Sequence, residues 1–281
     1  MSFYEFEYGV KSNFLSRILS KQQNGKVHSI FQSSLNIQFG KSLIHIGPLG
    51  TPLSSFGINI PKLKLKTILN KVTIGDTVES VDRKIFIRTF QAVFVVHIDK
   101  FTTIDLRIHP APIDTRKLKR NAIYKMILGI NYNTMSGMIQ SQHEKNMLYK
   151  LLSCRNDSIV IKEVIRYFFG RGIGLTPSGD DFLSGIVMVE SFFAQTTTWQ
   201  SMLEKHIKVY ETTDVSLNYY YSLLSGFVSE NFLNLFRNLY IDVYTTKAKR
   251  IVKDVTNYGH TSGYDTLLGI IVAIKLNILE E

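Results

Sequence analysis

The hydrophobic period of this 281-residue chain changes once, near HPAPID (109–114), and that change limits the folds open to it. From Lys26 to Arg107, apolar residues alternate or run in short β-branched stretches: KVHSIF, SLNIQF, SLIHIG, FGINI, KVTI, KIFIRTF, AVFVVHI and TTIDLRI. Alternation puts successive side chains on opposite faces of a strand, and Gly, Pro and Asp separate the runs. Five of the six prolines (48, 52, 61, 110 and 112) fall at turn or strand-end positions here. About eight short strands with such punctuation predict an antiparallel barrel or sandwich-like domain.

Beyond HPAPID the spacing is helical. Leu118, Ala122, Tyr124, Met126 and Ile127 suit a helix running from Asp114 or Thr115 to about Gly129. Further helices are predicted over 140–154, 158–168, 180–195, 199–211, 214–239 and 264–278, and over 244–256 on a weaker pattern. The expected fold is therefore α+β. Residues 1–112 form a β-rich, barrel-like domain with a short N-terminal helix, and residues 113–281 form an all-helical domain.

Charge narrows the function classes. The formal net charge is +10, and residues 1–110 carry 14 Lys/Arg against 7 Asp/Glu. Such an excess attracts nucleic acid, small anions or an acidic partner. The lysines, however, are spread along alternating patterns such as KLKLK (62–66) and are not clustered with aromatics. A solvated sheet face is expected there, and nucleic-acid binding is not. Cys154 is the only cysteine, which rules out an internal disulfide and fits a reducing compartment. It is expected to be a half-buried helical residue. The first 25 residues lack the apolar core of a secretory signal. LLGIIVAI (267–274) falls well short of the roughly 20 residues that span a bilayer. A soluble, cytoplasmic protein with no membrane contact is expected.

One internal repeat carries chemistry. GLTPSGDDFLSGI (174–186) returns as GHTSGYDTLLGI (259–270) once Pro177 is treated as an insertion, with eight of twelve pairs identical. Each copy fits a capping box, in which Ser178 or Ser262 caps the helix and Asp181 or Asp265 reaches back. Capping does not explain Gly179 and Gly263 just inside the helices, nor Gly185 and Gly269 four residues after the acids. Glycine inside a helix costs about 1 kcal/mol relative to alanine. The placement predicts two helices that cross closely near their N-termini, bringing Asp181 and Asp265 together.

Convergent helix starts with glycine loops suit an anion. Carboxylates beside an anion need a cation or hydrogen-bond donors between them. Two chemistries satisfy this: Mg²⁺ or another divalent cation bridging Asp180 or Asp181 to phosphate, or carboxylates accepting from an amide NH₂. Gly174, Thr176, Ser178 and Gly179 would bind the anion from the first copy, and Thr261, Ser262 and Gly263 from the second. Arg171 is a candidate phosphate clamp, and an exposed loop arginine is the alternative. His260 lies inside the second copy and suits general acid or base work. No organic cofactor is expected. The other histidines (28, 45, 97, 109, 143 and 206) show no metal-binding spacing, and His45 and His97 are expected to be satisfied strand residues. Thr212, Thr213 and Ser216 are expected to cap the next helix. The run Tyr219–Tyr221 cannot share one face, so at least one tyrosine should pack.

The segment G-x-G-L-T-P-S-G-D-D-F-L-x-G, here Gly172 to Gly185, resembles the signature of the AllH-like family. The second element at 259–269, Thr212-Thr-Asp-Val-Ser216, Gly226, Glu230 and the β-then-α order agree with it. The resemblance implies a subunit of a bacterial oxamate carbamoyltransferase from anaerobic allantoin degradation. That enzyme interconverts oxalurate plus phosphate with oxamate plus carbamoyl phosphate, requires a divalent metal and works with other subunits. On this reading Thr176, Ser178, Gly179, Asp180 and Asp181 carry the active site, and Ser262, Gly263 and Asp265 complete it. The alternative is a non-catalytic, phosphate- or nucleotide-binding partner subunit.

Overall fold

The computed structural model describes residues 2–19, 22–154, 157–194 and 197–277. The chain forms two compact units: Met1–Arg107 with Phe227–Glu230, and Ile108–Gly226 with Asn231–Glu281.

The first unit is built on one mixed sheet curled into a half-barrel. Its strands are β1 (Ser2–Phe6), β2 (Val10–Ser12), β3 (Gln23–Ile30), β4 (Leu35–Phe39), β5 (Ser42–Pro48), β6 (Gly57–Ile60), β7 (Thr77–Val81), β8 (Lys84–Arg88), β9 (Ala92–His97) and β10 (Thr102–Ile104). They run in the order β1-β9-β8-β7-β3-β4-β5-β6-β2-β10. Neighbours joined by short hairpins pair antiparallel. The pairs β1–β9, β5–β6 and β2–β10 are parallel. Asp82 and Arg83 link β7 to β8 with positive φ at both positions, the primed turn whose twist matches its strands. Every residue of β6 and β9 is buried, so these strands read as continuous apolar runs.

Several local expectations change here. The N-terminal stretch supplies β1 and β2 ahead of the short helix α1 (Leu15–Ile18). KVTI (71–74) lies in turns, and TVESV forms β7. KLKLK is not a strand: it opens helix α2 (Lys62–Leu69), which starts directly after Pro61. Proline presets φ at a helix start and lacks the N–H that would go unused there. The core contact is made by Leu65 and Ile68, three apart, while Leu63 points to solvent.

The second unit holds α3 (Thr115–Arg120), α4 (Ala122–Leu128), α5 (Tyr132–Met135), α6 (Gln142–Ser153), α7 (Ser158–Phe168), α8 (Ser178–Phe192), α9 (Thr198–Ile207), α10 (Asp214–Leu224), α11 (Glu230–Leu239), α12 (Thr245–Thr256) and α13 (Ser262–Asn277). The helix expected from 115 to 129 is two helices. Asn121 ends α3 in extended geometry and caps α4, its Oδ1 accepting from the Ile123 and Tyr124 amides. The 214–239 pattern also divides, because residues 227–230 join the first unit: the Val228 amide donates to Leu106 O, and the Leu53 amide to Glu230 Oε2. Cys154 is the exposed C-cap of α6, not a half-buried helical residue. The centre of the unit is the pair α8 and α13. Both are apolar around most of their circumference, as helices enclosed by other helices must be.

Candidate functional site

Local chemistry sets both helix starts one residue earlier than a capping box requires. Pro177, at φ −50° and ψ 138°, is the cap of α8, so Ser178 is the first helical residue and makes no capping bond. The Asp181 amide donates to Pro177 O (3.2 Å) and the Asp265 amide to Thr261 O (2.9 Å). The two aspartates therefore hold the same fourth position in their helices. From there a short carboxylate does not reach back to the cap, and the expected capping boxes do not form.

The glycines do what bulkier residues would prevent. A Cβ on Gly179 would lie 2.0 Å from Phe168 O, and one on Gly263 would lie 2.0 Å from Val255 O. Each helix start is thus pressed onto the last turn of its predecessor, α7 under α8 and α12 under α13. A turn further on, a Cβ on Gly185 would meet Thr266 O at 2.1 Å, and one on Gly269 would meet Phe182 O at 2.0 Å. The helices cross there backbone to backbone.

The crossing brings the two copies together. Thr176 Oγ1 and Ser262 Oγ are hydrogen-bonded at 2.9 Å. The Asp181 carboxyl is pushed well above the usual carboxylate range, chiefly by burial. The Ser262 and Thr176 hydroxyls oppose that shift, while the Asp265 and Asp180 carboxylates add to it. Asp181 Oδ2 and Asp265 Oδ2 are both buried and have no hydrogen-bond partner.

Sequence reasoning missed a third element, the Ser136–Gly137–Met138 segment between α5 and α6. Ser136 Oγ donates to Asp265 Oδ1 (2.5 Å), as does the Met138 amide (3.1 Å). A Cβ on Gly137 would lie 2.4 Å from Ser178 Oγ, 2.9 Å from Thr261 Oγ1 and 3.4 Å from Asp265 Oδ2. One small space is therefore ringed by both helix starts. Its only sequence trace is a Ser-Gly pair in a loop.

Asp180 serves the loop and not that space. Its Oδ1 accepts from the Gly170 amide (2.8 Å) and Tyr220 Oη (2.9 Å), and its Oδ2 from Thr212 Oγ1. Three donors already occupy a side chain that is 2% exposed. Thr213 is the cap of α10, as expected, whereas Thr212 is a partner of Asp180. Of the three tyrosines, Tyr220 is buried on Asp180, Tyr219 bonds Tyr258 and Tyr221 is exposed.

The remaining residues stand at the rim. Gly170, Gly172 and Gly174 all have positive φ (68°, 127° and 96°), which lets this loop turn tightly above Ser178. Arg171 is exposed, and its guanidinium stacks 4.0 Å from the Tyr167 ring centroid while Nε donates to Tyr167 O. His260 is exposed. Among the described residues, neither Asp181 nor Asp265 belongs to a cluster of three potential metal ligands.

A half-barrel unit joined to a helical unit, with two acid-bearing helix starts crossed on glycine, defines an α+β protein with a duplicated helix-start site. Two family models match this chain: the AllH family N-terminal domain over residues 6–103, and oxamate carbamoyltransferase subunit AllH over residues 168–274. The chain belongs to the AllH family. The second match spans both copies of the glycine-serine-aspartate element. No solved structure matches the chain.

Proposed function

We propose that the paired helix starts form the carbamoyl-transfer site of an oxamate carbamoyltransferase-type enzyme, acting on oxalurate and phosphate. The observation that carries this reading is the pair of orphaned oxygens, Asp181 Oδ2 and Asp265 Oδ2. A buried acceptor without a donor costs about 1–3 kcal/mol. A carbamoyl NH₂ offers two donors, one for each oxygen. Helix-start amides and the hydroxyls of Thr176, Ser178, Thr261 and Ser262 supply donors for phosphate and for a carbonyl oxyanion.

In this scheme a phosphate oxygen attacks the ureido carbon of oxalurate, and the carbon–nitrogen bond to the oxamate half breaks. The electron pair stays on that nitrogen, which takes a proton. Asp181, whose carboxyl burial pushes well above the usual carboxylate range, gives it. The proton shed by phosphate returns to the carboxylate pair. Asp180, Thr212 and Tyr220 position the glycine loop.

The alternative occupant of the same two oxygens, in place of the carbamoyl NH₂, is a hard divalent cation such as Mg²⁺, for which the neighbouring hydroxyls and phosphate would complete the shell. Bound there, the cation would neutralise the two acids against the phosphate charge. Asp181 and Asp265, not Asp180, would hold it. His260 and Arg171 are left as rim contacts for the anionic substrate.

The test is carbamoyl-phosphate formation from oxalurate and phosphate by the chain together with its partner subunits. Asp181→Asn should abolish turnover while far-UV spectrum and melting temperature are retained. Full activity in that variant removes the site assignment.

A further inference from the structure

We propose that Glu5, Glu7 and His97 form a binding site for a divalent transition-metal ion on the edge of the sheet, separate from the paired helix starts. The argument begins with His97. It closes β9 and is 6% exposed, yet neither ring nitrogen has a hydrogen-bond partner. A buried imidazole always carries at least one N–H, so an unpaired ring is costly. The expectation of a satisfied strand histidine fails here, in contrast to His45, whose Nδ1 bonds Asn36 Oδ1 at 2.9 Å.

The strand register explains what the ring faces. β1 pairs with β9 in parallel, with Glu5 beside Val95 and Phe6 beside Val96, so Glu7 follows at the level of His97. Side chains two apart share a face, which puts Glu5 and Glu7 together while Phe6 enters the core. His97 Nε2 stands 3.6 Å from Glu5 Oε1. One ligand atom from each of the three residues lies within 4.8 Å of the others. Ligands about 2.1 Å from a tetrahedral ion stand about 3.4 Å from one another, so small rotations of two exposed glutamates close the set.

The donor types choose the ion. One imidazole with two carboxylates suits Zn²⁺, Mn²⁺ or a similar ion, and the nitrogen disfavours Mg²⁺ and Ca²⁺. Three ligands leave a position for water, and both carboxylates line a cavity of about 320 Å³ that provides an entry path. Two ammonium groups face the site. Lys100 pairs with Glu7, and Lys64 donates to the Glu5 carbonyl. Lys100 is half exposed and swings into solvent when the ion binds. His97 Nδ1 has no acceptor, so the ring lacks the outer partner that strengthens tight sites. The site is therefore of the exchangeable kind, and its ion ties edge strand β1 to the end of β9.

Calorimetric titration of the full chain with ZnCl₂, MnCl₂ and MgCl₂ tests this. At the sheet edge one equivalent of Zn²⁺ or Mn²⁺ should bind, with Mg²⁺ much weaker there; any cation held at the paired helix starts is a separate equivalent that Asp181→Asn removes. Glu5→Gln with Glu7→Gln should weaken binding by at least about tenfold, the size of effect seen on removing mere outer-shell partners. Both glutamates are exposed, so that variant keeps the fold, and His97→Asn should act in the same direction. Asp181→Asn should leave this binding unchanged, which separates the site from the proposed active site. Absence of Zn²⁺ and Mn²⁺ binding, or binding undiminished by the double substitution, overturns the proposal.

Discussion

Replacing Gly269 by alanine tests the helix crossing on which the site depends. The added Cβ would sit 2.0 Å from Phe182 O, 2.9 Å from Phe182 C and 3.2 Å from Gly185 Cα. All three are backbone atoms of α8, so no side chain can swing aside, and ordinary contact requires the helices to part by about 1 Å. Overpacking of this kind costs about 1–3 kcal/mol, and a 2.0 Å approach to rigid backbone belongs in the upper part of that range, about 2–3 kcal/mol. Alanine returns up to about 1 kcal/mol through its better helix propensity. The net loss is about 1–2 kcal/mol. At roughly 2–4 °C per kcal/mol for a domain of this size, the melting temperature should fall by about 2–8 °C. Gly129→Ala is the matched control, since Gly129 is exposed, at φ −81°, and its Cβ would meet nothing closer than 3.5 Å. That variant should melt at or above the wild-type temperature. Calorimetry giving the two variants the same sign would refute the crossing argument.

Three other outcomes follow from the same structure. Glu190 Oε1 and Oε2 accept from the Trp199 and Gln200 amides, and burial raises its carboxyl to about 7. Because the folded state holds this proton more tightly than the unfolded state, stability from this group is full below about pH 4.5 and falls as pH rises towards 7; melting curves of Glu190→Gln across that window should lack this component of the slope. Asp180→Ala strands the Gly170 amide and the Thr212 and Tyr220 hydroxyls, and should cost about 2–4 kcal/mol in a denaturant midpoint measured at constant slope. Ser136→Ala leaves the Met138 amide as the donor to Asp265 Oδ1, and should lower turnover with little change in melting temperature.

The repeat made much of the site legible. Gly185 and Gly269 announce a crossing because glycine is unfavourable in a helix unless something must come close. Ser178 and Ser262 were harder to place. The S-x-x-D pattern suits a capping box, but Pro177 moves the start of α8 by one residue, and the pattern alone does not reveal such a shift. KLKLK misleads for a related reason: five residues of alternation suit either a strand or the first turn of a helix after proline. Ser136–Met138 carried no periodic signal at all, since a loop meets its partner only in three dimensions.

Sequence alone determined the order of a β-rich and a helical half, because the apolar period follows directly from which face each element must bury. It also determined the duplicated helix start, because glycine, serine and aspartate at fixed spacing have few other uses. Only the tertiary structure decided the parallel pairs in the sheet, the commitment of Asp180 to its loop and the unpaired state of Asp181 Oδ2, Asp265 Oδ2 and both His97 nitrogens. Each of these depends on donors and acceptors distant along the chain. Whether a polar group is satisfied is a property of the space around it.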